Sequence, residues 1–331
     1  MARSAGGGAA RTGNENLNAE TLPLRLVSIR YAAQDTNLYE FAAPDGAPLP
    51  AYEPGAHLDL HLPGGLMRQY SLARPHRADQ GYLVGIKRDA KTRGGSAWLH
   101  DQARVGAMFE VGAPRNNFPL REDAPHSVLI AGGIGITPIW CMAQRLEEIG
   151  APFELHYAVR TRADAAFLAE LERMAPKARL HVDVEAEAVL DVPAILAAAP
   201  EGAHLYCCGP TPMLEAFEAA AAGWPEDQTH VEYFSAPELK PLEGGFIVVL
   251  AKSGREFEVA PGSTILETLR QAGLNVPASC EQGVCGTCET TILEGVPDHR
   301  DLLLTPAEKA SGKTMMICCS GSLTDRLVLD L

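Results

Sequence analysis

The chain has 331 residues, enough for two or three domains of ordinary size, and its 46% hydrophobic and 21% charged content is typical of globular proteins. Its formal net charge of −14 argues against a nucleic-acid partner. The longest uncharged stretch, residues 127–144, is interrupted by glycines and a proline, which argues against a membrane span.

Residues 1–20 are predicted to form a disordered tail. They are rich in Gly, Ala and Asn, and they lack the apolar core of a signal peptide. The cysteines of the chain do not have the spacing of a disulfide framework, and free thiols favour a reducing compartment. We therefore expect a cytoplasmic protein.

Residues 21–120 alternate between short apolar strands and turns. Strands are predicted at 24–29, 57–62 and 82–86, and Pro-Gly and Gly-Gly pairs separate them. Several short strands at this spacing are typical of a small antiparallel barrel. This segment is also the least acidic part of the chain, which suits an anionic cofactor.

Two motifs lie on the predicted barrel. The first is Arg68-Gln69-Tyr70-Ser71-Leu72, on a predicted strand, and by itself an exposed strand explains it equally well. The second is the basic, glycine-rich turn of residues 87–96, which precedes a short predicted helix at 97–102. A helix N-terminus with adjacent Arg and Ser side chains can hold a phosphate. A solvated loop is the alternative interpretation of this turn.

Residues 121–235 show strands alternating with helices, which indicates a parallel α/β sheet. The apolar run 128–131 leads into the turn of residues 132–138, with the sequence GGIGITP, and a helix is predicted at 139–149. A strand, a glycine-rich turn and a helix form the geometry that binds nucleotide phosphates, although the motif G-x-G-x-x-G is absent. The other predicted strands cover 153–159, 179–184, 204–208 and 230–234, and the other helices cover 163–174, 192–199 and 211–222.

Residues 236–244 are predicted to be a linker, and residues 245–331 a third domain. This domain contains Cys280, Cys285 and Cys288 with the spacing C-x4-C-x2-C, and Cys318 follows near the C-terminus. The spacing is that of plant-type ferredoxins, in which four thiolates hold a [2Fe-2S] cluster. A zinc site is the main alternative, but such sites usually have two C-x2-C pairs, and this stretch has one.

Four motifs in this order resemble the phthalate dioxygenase reductase family over residues 22–331, and vanillate demethylase reductases are similar. The motifs are Arg68-x-Tyr70-Ser71, Gly132-Gly133-x-Gly135-x-Thr137-Pro138, Cys208-Gly209-Pro210-x-x-Met213 and the cysteine set. The resemblance implies a multidomain fold with three parts. These are a flavin-binding antiparallel β-barrel (21–120), a nicotinamide-binding parallel α/β domain of the ferredoxin-reductase type (121–235) and an α+β plant-type ferredoxin domain (245–331).

The resemblance also implies roles at the flavin. Arg68 and the turn Gly94-Gly95-Ser96 would hold the flavin phosphate, Tyr70 would pack on the flavin ring, and Ser71 would lie near its N5 atom. Ile86, Lys87, Arg93 and Gln69 are further expected flavin contacts. The fourth cluster ligand is expected to be Cys318 rather than Cys319, because Cys318-Cys319-Ser320 matches the family's C-x-S ending.

Further roles are implied at the nicotinamide. Thr137 would lie between flavin and nicotinamide, Cys208 beside the transferred hydride, and Phe234 over the ring face where nicotinamide docks. With Ser71, these are the catalytic candidates. Gly132, Gly133 and Gly135 would allow NADH to approach closely. The other expected nicotinamide-nucleotide contacts are Pro138, Arg160, Arg162, Gly209, Pro210 and Met213.

The expected cofactors follow from electron counting. NADH gives two electrons as a hydride and a [2Fe-2S] cluster accepts one at a time, so a flavin is needed between them. The resemblance favours FMN over FAD and NADH over NADPH, although Arg160 and Arg162 could reach a 2′-phosphate.

The sequence shows neither a Rieske cysteine–histidine pair nor a 2-His-1-carboxylate site, so oxygen activation is expected on a separate, Rieske-type terminal oxygenase. The chain itself is expected to be monomeric. The alternatives are an FAD-containing reductase for a diiron monooxygenase or a cytochrome, and a non-enzymatic ferredoxin-like carrier. The intact nucleotide motifs argue against the carrier.

Overall fold

The structure is a computed structural model that describes residues 21–89, 94–234 and 245–331. The predicted tail, Arg93 and the predicted linker lie outside the described residues. Three larger sheets follow one another along the described part of the chain, a two-stranded sheet of Pro297–Asp298 and Gly321–Ser322 lies in the last part, and the domain boundaries given above stay predictions. Among the described residues, no helix combines the length and the apolar character that a membrane crossing requires.

The first part of the chain is an antiparallel barrel. Its elements are β1 (Thr21–Ala33), β2 (Thr36–Ala42), β3 (Ala56–Leu62), β4 (Leu66–Ser71), β5 (Tyr82–Lys87), α1 (Gly95–Gln102), β6 (Met108–Gly112) and β7 (Arg115–Asn116). The strands pair in the order β4-β3-β6-β1-β2-β5, and β7 adds to β3. A bridge between Leu72 and Val84 joins the two ends of this order and closes the barrel. Alternate side chains, among them Leu26, Phe41 and Leu58, fill its interior.

The second part is a five-stranded parallel sheet with helices. Its elements are β8 (Ser127–Gly132), α2 (Ile136–Ile149), β9 (Phe153–Val159), α3 (Leu168–Arg173), β10 (Ala178–Val182), α4 (Asp183–Ala186), α5 (Val192–Ala198), β11 (His204–Cys208), α6 (Thr211–Ala221) and β12 (Thr229–Glu232). The strand order is β10-β9-β8-β11-β12. The strand order reverses between β8 and β11, and the carboxyl ends of two such strands form the usual ligand crevice of an open parallel sheet.

The helix predicted at 163–174 is shorter in the structure. Only Leu168–Arg173 is α-helical, because Phe167 adopts a left-handed backbone conformation with φ of 60° immediately before it, and Arg162–Asp164 forms a separate 3-10 helix. The Phe167 ring stacks on Trp140 of α2 with ring centroids 5.6 Å apart. This tertiary contact determines the local conformation, and helical propensity does not.

The third part is an α+β domain. Its elements are β13 (Phe246–Leu250), β14 (Glu256–Val259), α7 (Ile265–Gln271), β15 (Glu289–Glu294), β16 (Pro297–Asp298), α8 (Pro306–Ser311), β17 (Thr314–Met316), β18 (Gly321–Ser322) and β19 (Arg326–Leu329). The main sheet has the order β14-β13-β19-β15-β17. A capping box between Thr264 and Glu267 starts α7. The cysteine loop follows α7 and leads into β15. The predicted fold class, a barrel, a parallel α/β domain and an α+β domain, is confirmed.

Candidate functional site

A cavity of about 280 Å³ lies where the three parts of the chain meet. The barrel contributes residues of β4 and β5 together with His57 and Ser96, and the α/β domain contributes Ile134, Thr137 and residues 231–234. The third domain contributes the start of its cysteine loop, including Cys280. Of the residues predicted from sequence, the cavity is lined by Arg68, Gln69, Tyr70, Ser71, Lys87, Ser96, Thr137, Phe234 and Cys280.

One end of the cavity can hold a phosphate. A Cβ atom added to Gly95, the first residue of α1, would lie 2.5 Å from Cγ of Arg68, so the Arg68 side chain lies across the helix N-terminus. Gly94 precedes the helix with φ of 99°, a conformation that favours glycine. Ser96 Oγ accepts a hydrogen bond from the backbone N–H of Asp89 at 3.2 Å. A guanidinium beside the N-terminus of a helix is suited to bind a phosphate.

Ile86 differs from its predicted role. Its side chain is fully buried in the barrel core and does not reach the cavity. Its carbonyl oxygen lies 2.9 Å from His100 Nε2, so the backbone group is also engaged within the barrel. Strand alternation explains the difference, because neighbouring residues of β5 face opposite sides of the sheet.

The cavity narrows where the barrel meets the turn after β8. A Cβ atom added to Gly85 would lie 2.6 Å from Cγ2 of Thr137, so only glycine allows this contact. Thr137 is buried, and its hydroxyl donates to the carbonyl of Ile134 at 3.0 Å. Gly85 was not singled out from the sequence. A glycine inside a predicted strand was the available signal.

His57 presents an unsatisfied polar atom at this cavity. The residue is 5% exposed, and among the described residues its Nε2 has no hydrogen-bond partner. Burial, together with the charge of Arg115, lowers the pKa of His57 to about 4, so the ring is neutral near pH 7. Because buried polar atoms are normally paired, a ligand with heteroatoms fits this wall of the cavity. A flavin ring has such atoms, so the lining and the phosphate-binding end together fit a flavin nucleotide.

Glu232 joins two of the predicted catalytic residues. Its Oε2 lies 3.5 Å from Ser71 Oγ and 3.9 Å from Cys208 Sγ, and both groups are placed to donate to it. Burial raises the pKa of Glu232 to about 8. Burial and the neighbouring Glu232 also raise the pKa of the Cys208 thiol well above its usual value. At neutral pH we therefore expect the Glu232 carboxyl to be protonated and the neighbouring Cys208 thiol to be un-ionised. Phe234, two residues after the end of β12, is among the catalytic candidates named from the sequence, whereas Glu232 is not.

At two positions of the glycine-rich turn after β8, packing against the protein itself requires glycine. A Cβ atom added to Gly132 would lie 2.5 Å from Cδ of Pro210, and one added to Gly135 would lie 2.2 Å from the carbonyl oxygen of Cys208. These two glycines therefore allow the turns after β8 and β11 to pack together. Gly133 has φ of 53° and open space at its Cβ position, so it leaves room for a ligand.

The motif after β11 completes this packing. Met213 Sδ lies 2.7 Å from a Cβ atom added to Gly209, and Pro210 precedes the first turn of α6. Pro138 is buried in the first turn of α2. Met213 and Pro210 therefore pack against glycines of the turns after β8 and β11.

Arg162 follows the carboxyl end of β9, and it forms an ion pair with an acidic residue of α4. Its Nε and Nη2 donate to the two carboxylate oxygens of Glu185 at 3.0 and 2.7 Å. Both side chains are about half exposed. Arg160, also exposed, engages its carbonyl oxygen with the backbone N–H of Val184 at 3.2 Å. The positive charge of Arg162 is therefore already balanced by the carboxylate of Glu185.

Four of the five cysteines of the third domain form two pairs. The thiols of Cys280 and Cys285 are in hydrogen-bond contact, and so are those of Cys288 and Cys318. In each pair this contact, together with burial, raises the pKa of a thiol, of Cys285 and of Cys288 respectively. Within the described residues, no three Cys, His, Asp or Glu side chains converge as one metal ion would require. Two pairs of thiolates fit a centre with two irons better than a tetrahedral zinc ion.

The two adjacent cysteines near the C-terminus point in different directions. Cys318 faces Cys288, whereas Cys319 Sγ donates to the carbonyl of Met316 at 3.7 Å. A Cβ atom added to Gly283, where φ is 71°, would lie 2.5 Å from Cys319 Sγ. Cys319 therefore packs against the back of the cysteine loop. This arrangement favours Cys318 as the fourth ligand.

Direct hydrogen bonds connect the cysteine loop to the barrel. Ser279 Oγ donates to the carbonyl of Met67 at 3.4 Å, and Asn117 Nδ2 donates to the carbonyl of Cys285 at 3.3 Å. Sequence reasoning missed both residues, since neither belongs to a recognised motif. The contacts bring the cysteine loop against the flavin-site strands.

The comparisons with known proteins agree with this architecture. Residues 248–321 match the model of the 2Fe-2S iron-sulfur cluster binding domain, and residues 113–230 match that of the N-terminal domain of dimethylamine monooxygenase subunit DmmA-like proteins. The phenoxybenzoate dioxygenase subunit beta of Ectopseudomonas oleovorans is 54% identical over 308 residues, which cover 93% of this chain and 97% of the relative.

Two solved structures resemble the chain over nearly its whole length. An intact type IV self-sufficient cytochrome P450 monooxygenase superposes with a TM-score of 0.85 at 39% identity, over 98% of this chain and 43% of that one. Phthalate dioxygenase reductase, described as a modular structure for electron transfer from pyridine nucleotides to [2Fe-2S], superposes with a TM-score of 0.71 at 37% identity, over 94% of this chain and 98% of that one. The chain therefore belongs to the phthalate dioxygenase reductase family, and it is an oxidoreductase with a [2Fe-2S] cluster binding domain.

Proposed function

We propose that this protein is the reductase component of a Rieske-type oxygenase and passes electrons from NADH to a separate terminal oxygenase. The observation that carries the proposal is the position of Cys280 on the wall of the same cavity as Arg68, Ser71 and Thr137. A flavin bound there converts the two-electron hydride of NADH into single electrons. The expected cluster ligand therefore borders the flavin site directly, within one chain.

The barrel side of the cavity is proposed to bind and orient the flavin. Arg68 and the N-terminus of α1 are proposed to hold the FMN phosphate, and Ser96 and Lys87 lie at the same wall. Tyr70 packs its half-buried ring along the cavity, and burial raises its pKa, so its hydroxyl stays protonated. Ser71 and His57 present polar atoms to the flavin ring. The residues thus supply binding and orientation.

The α/β side is proposed to receive the nicotinamide. Gly133 leaves open space at the turn after β8, and Cys208 lies at the carboxyl end of β11. Phe234 is 43% exposed at the cavity, where it can cover the ring face until nicotinamide displaces it. Thr137 separates the barrel from this side. In the third domain, Cys280, Cys285, Cys288 and Cys318 are the proposed cluster ligands.

The proposed partner is a terminal oxygenase, and the reductase alone is proposed to be monomeric. The dioxygenase named for the 54% identical relative supports an oxygenase as the partner. The likeness to a self-sufficient cytochrome P450 favours a second candidate, a haem acceptor. In that protein the similar part accounts for less than half of the chain. The two candidates differ in the acceptor that the protein should reduce faster.

The test is anaerobic reduction of defined acceptors by the purified protein with NADH. The acceptors are a purified Rieske-type terminal oxygenase, whose cluster bleaches on reduction, and a purified bacterial cytochrome P450. Fast bleaching of the Rieske cluster with slow haem reduction is expected. Equal or faster haem reduction would select the second candidate, and reduction of neither acceptor would contradict both.

Glu185→Gln is expected to increase the use of NADPH. Removal of the carboxylate frees Arg162, at the end of the second strand of the sheet, to pair with a 2′-phosphate. We expect kcat/KM for NADPH to rise by roughly fivefold, about 1 kcal/mol of exposed charge interaction, with kcat/KM for NADH unchanged. Steady-state reduction of ferricyanide measures both values.

Glu187→Gln is the matched control for this change. It removes the same charge from the same exposed segment and leaves the Arg162–Glu185 ion pair in place. Equal effects of the two substitutions on NADPH would mean that only net charge matters. The proposed role of Arg162 would then be wrong.

A further inference from the structure

A chain of hydrogen bonds runs from the barrel to a proposed cluster ligand. Thr287 lies between Cys285 and Cys288 in sequence, and its Oγ1 is 3.4 Å from Cys285 Sγ. From the barrel, Arg115 Nη2 donates to Thr287 Oγ1 at 3.2 Å, and Gln69 Nε2 donates to it at 3.4 Å. The residues are far apart in sequence, so only the docking of the two domains brings them together.

Asp59 holds the two barrel donors in place. Its side chain is almost fully buried, and its Oδ2 accepts from Arg115 Nη2 at 2.6 Å. Its Oδ1 accepts from Gln69 Nε2 at 2.9 Å. Gln69 lies directly opposite Asp59 on the neighbouring strand. Charge-assisted bonds to a buried carboxylate are short and directional, so the remaining N–H groups of both donors keep a defined direction.

The number of donors and acceptors decides how the Thr287 hydroxyl is oriented. A hydroxyl has one hydrogen to donate and two lone pairs that accept. Arg115 and the amide nitrogen of Gln69 can only donate, so together they occupy both lone pairs. As a thiol, Cys285 itself donates to Thr287 Oγ1. As a cluster ligand Cys285 is a thiolate without a hydrogen, so the hydroxyl hydrogen of Thr287 is then left for Cys285 Sγ. A ligand thiolate is an acceptor, so the two requirements agree.

We propose that the barrel fixes Thr287 as a hydrogen-bond donor to Cys285, and that this relay raises the reduction potential of the cluster while the domains are docked. The inference rests on the proposed function, in which Cys285 is a cluster ligand. Reduction adds one electron, supplied from NADH, to the cluster and its thiolates. Donors to ligand sulfurs stabilise the added negative charge. Arg115 is therefore a positioning residue for the cluster, and Thr287 is the group through which it acts.

A redox titration of the full chain, loaded with FMN and iron, tests the relay. The reduced cluster is followed by its electron paramagnetic resonance signal. Thr287→Val is expected to make cluster reduction about tenfold less favourable, which corresponds to a potential ~59 mV lower. Thr287→Ser keeps the donor and is expected to match the unchanged protein. Arg115→Gln is expected to lower the potential by less than Thr287→Val.

The double variant Arg115→Gln with Thr287→Val separates a relay from a simple charge effect. If Arg115 acts through the hydroxyl, the double variant has the potential of Thr287→Val alone. Additive shifts would overturn the relay, as would an unchanged potential in Thr287→Val. Arg25→Gln on β1 is the charge control, because it removes one exposed positive charge from the barrel. A shift equal to that of Arg115→Gln would also count against the relay.

Failure of the proposed function gives a different result. Without a cluster on these cysteines, the unchanged protein has no iron and no resonance signal. A normal signal with an unaltered potential in the variants contradicts the relay alone. If Thr287→Val does not assemble its cluster, Arg115→Gln decides the question, because it leaves the cysteine loop intact. An unchanged potential in that variant overturns the relay.

Discussion

Cys318→Ser is expected to lose the [2Fe-2S] cluster, whereas Cys319→Ser is expected to keep it. The reason is the direction of the two side chains, since Cys318 meets Cys288 and Cys319 donates to the carbonyl of Met316. In Cys318→Ser we expect cytochrome c reduction to fall by about 100-fold, the upper range for damage to a metal site, while ferricyanide still accepts electrons from the flavin. Iron content and the visible spectrum measure the cluster directly.

The double variant Cys318→Ser with Cys319→Ser is the control for ligand exchange. Cys319 is adjacent, so a mobile loop could recruit it after Cys318 is lost. Iron retained in the single Cys318→Ser variant but lost in the double variant would show such an exchange. Iron lost from Cys319→Ser alone would contradict the assignment of Cys318.

Raising the pH from 7 to 9 is expected to tighten the binding of NAD⁺ by about tenfold, because Glu232 changes charge within a poorly solvated cavity. The pKa of Glu232 is raised to about 8, so its carboxyl is neutral at pH 7 and negative at pH 9. The nicotinamide ring of NAD⁺ is positive and that of NADH is neutral. The negative carboxylate therefore favours NAD⁺, and binding of NADH should stay nearly constant. Product inhibition by NAD⁺, measured across this pH range, gives the effect.

Glu232→Gln is the control, since it keeps a neutral hydrogen-bonding group at every pH. Two neighbouring titratable groups, His57 and Cys208, do not contribute to this pH dependence. His57 has its pKa lowered to about 4, and Cys208 has its pKa raised well above the usual thiol value, so neither changes charge between pH 7 and 9. NAD⁺ inhibition that does not vary with pH in the unchanged protein, or that varies equally in Glu232→Gln, would show that Glu232 does not face the nicotinamide.

The electron-transfer chemistry of the protein follows mainly from short sequence segments. The spacing of Cys280, Cys285 and Cys288 predicts a [2Fe-2S] domain because the ligands lie on one loop. Strand alternation and strand–helix alternation predict the barrel and the parallel sheet, since each reflects a local periodicity. These predictions are confirmed, and so are the family and the oxidoreductase activity.

Several site features depend on contacts that no local pattern contains. Ser71 and Glu232 are 161 residues apart in sequence, and Gln69 and Thr287 are 218 apart, yet each pair is in hydrogen-bond contact. The pKa of Glu232 is raised because the folded chain buries its carboxyl. A sequence motif cannot indicate such burial.

By itself, then, the sequence determined the cofactor classes and the order of the domains, because ligand spacing and periodicity are properties of neighbouring residues. Only the tertiary structure decided that Gly132 and Gly135 serve packing, that Ile86 faces the barrel core, and that Cys319 points away from Cys288. The physical reason is shared. Side-chain direction and close approach depend on how separate elements pack, and steric contacts and burial between distant segments determine that packing.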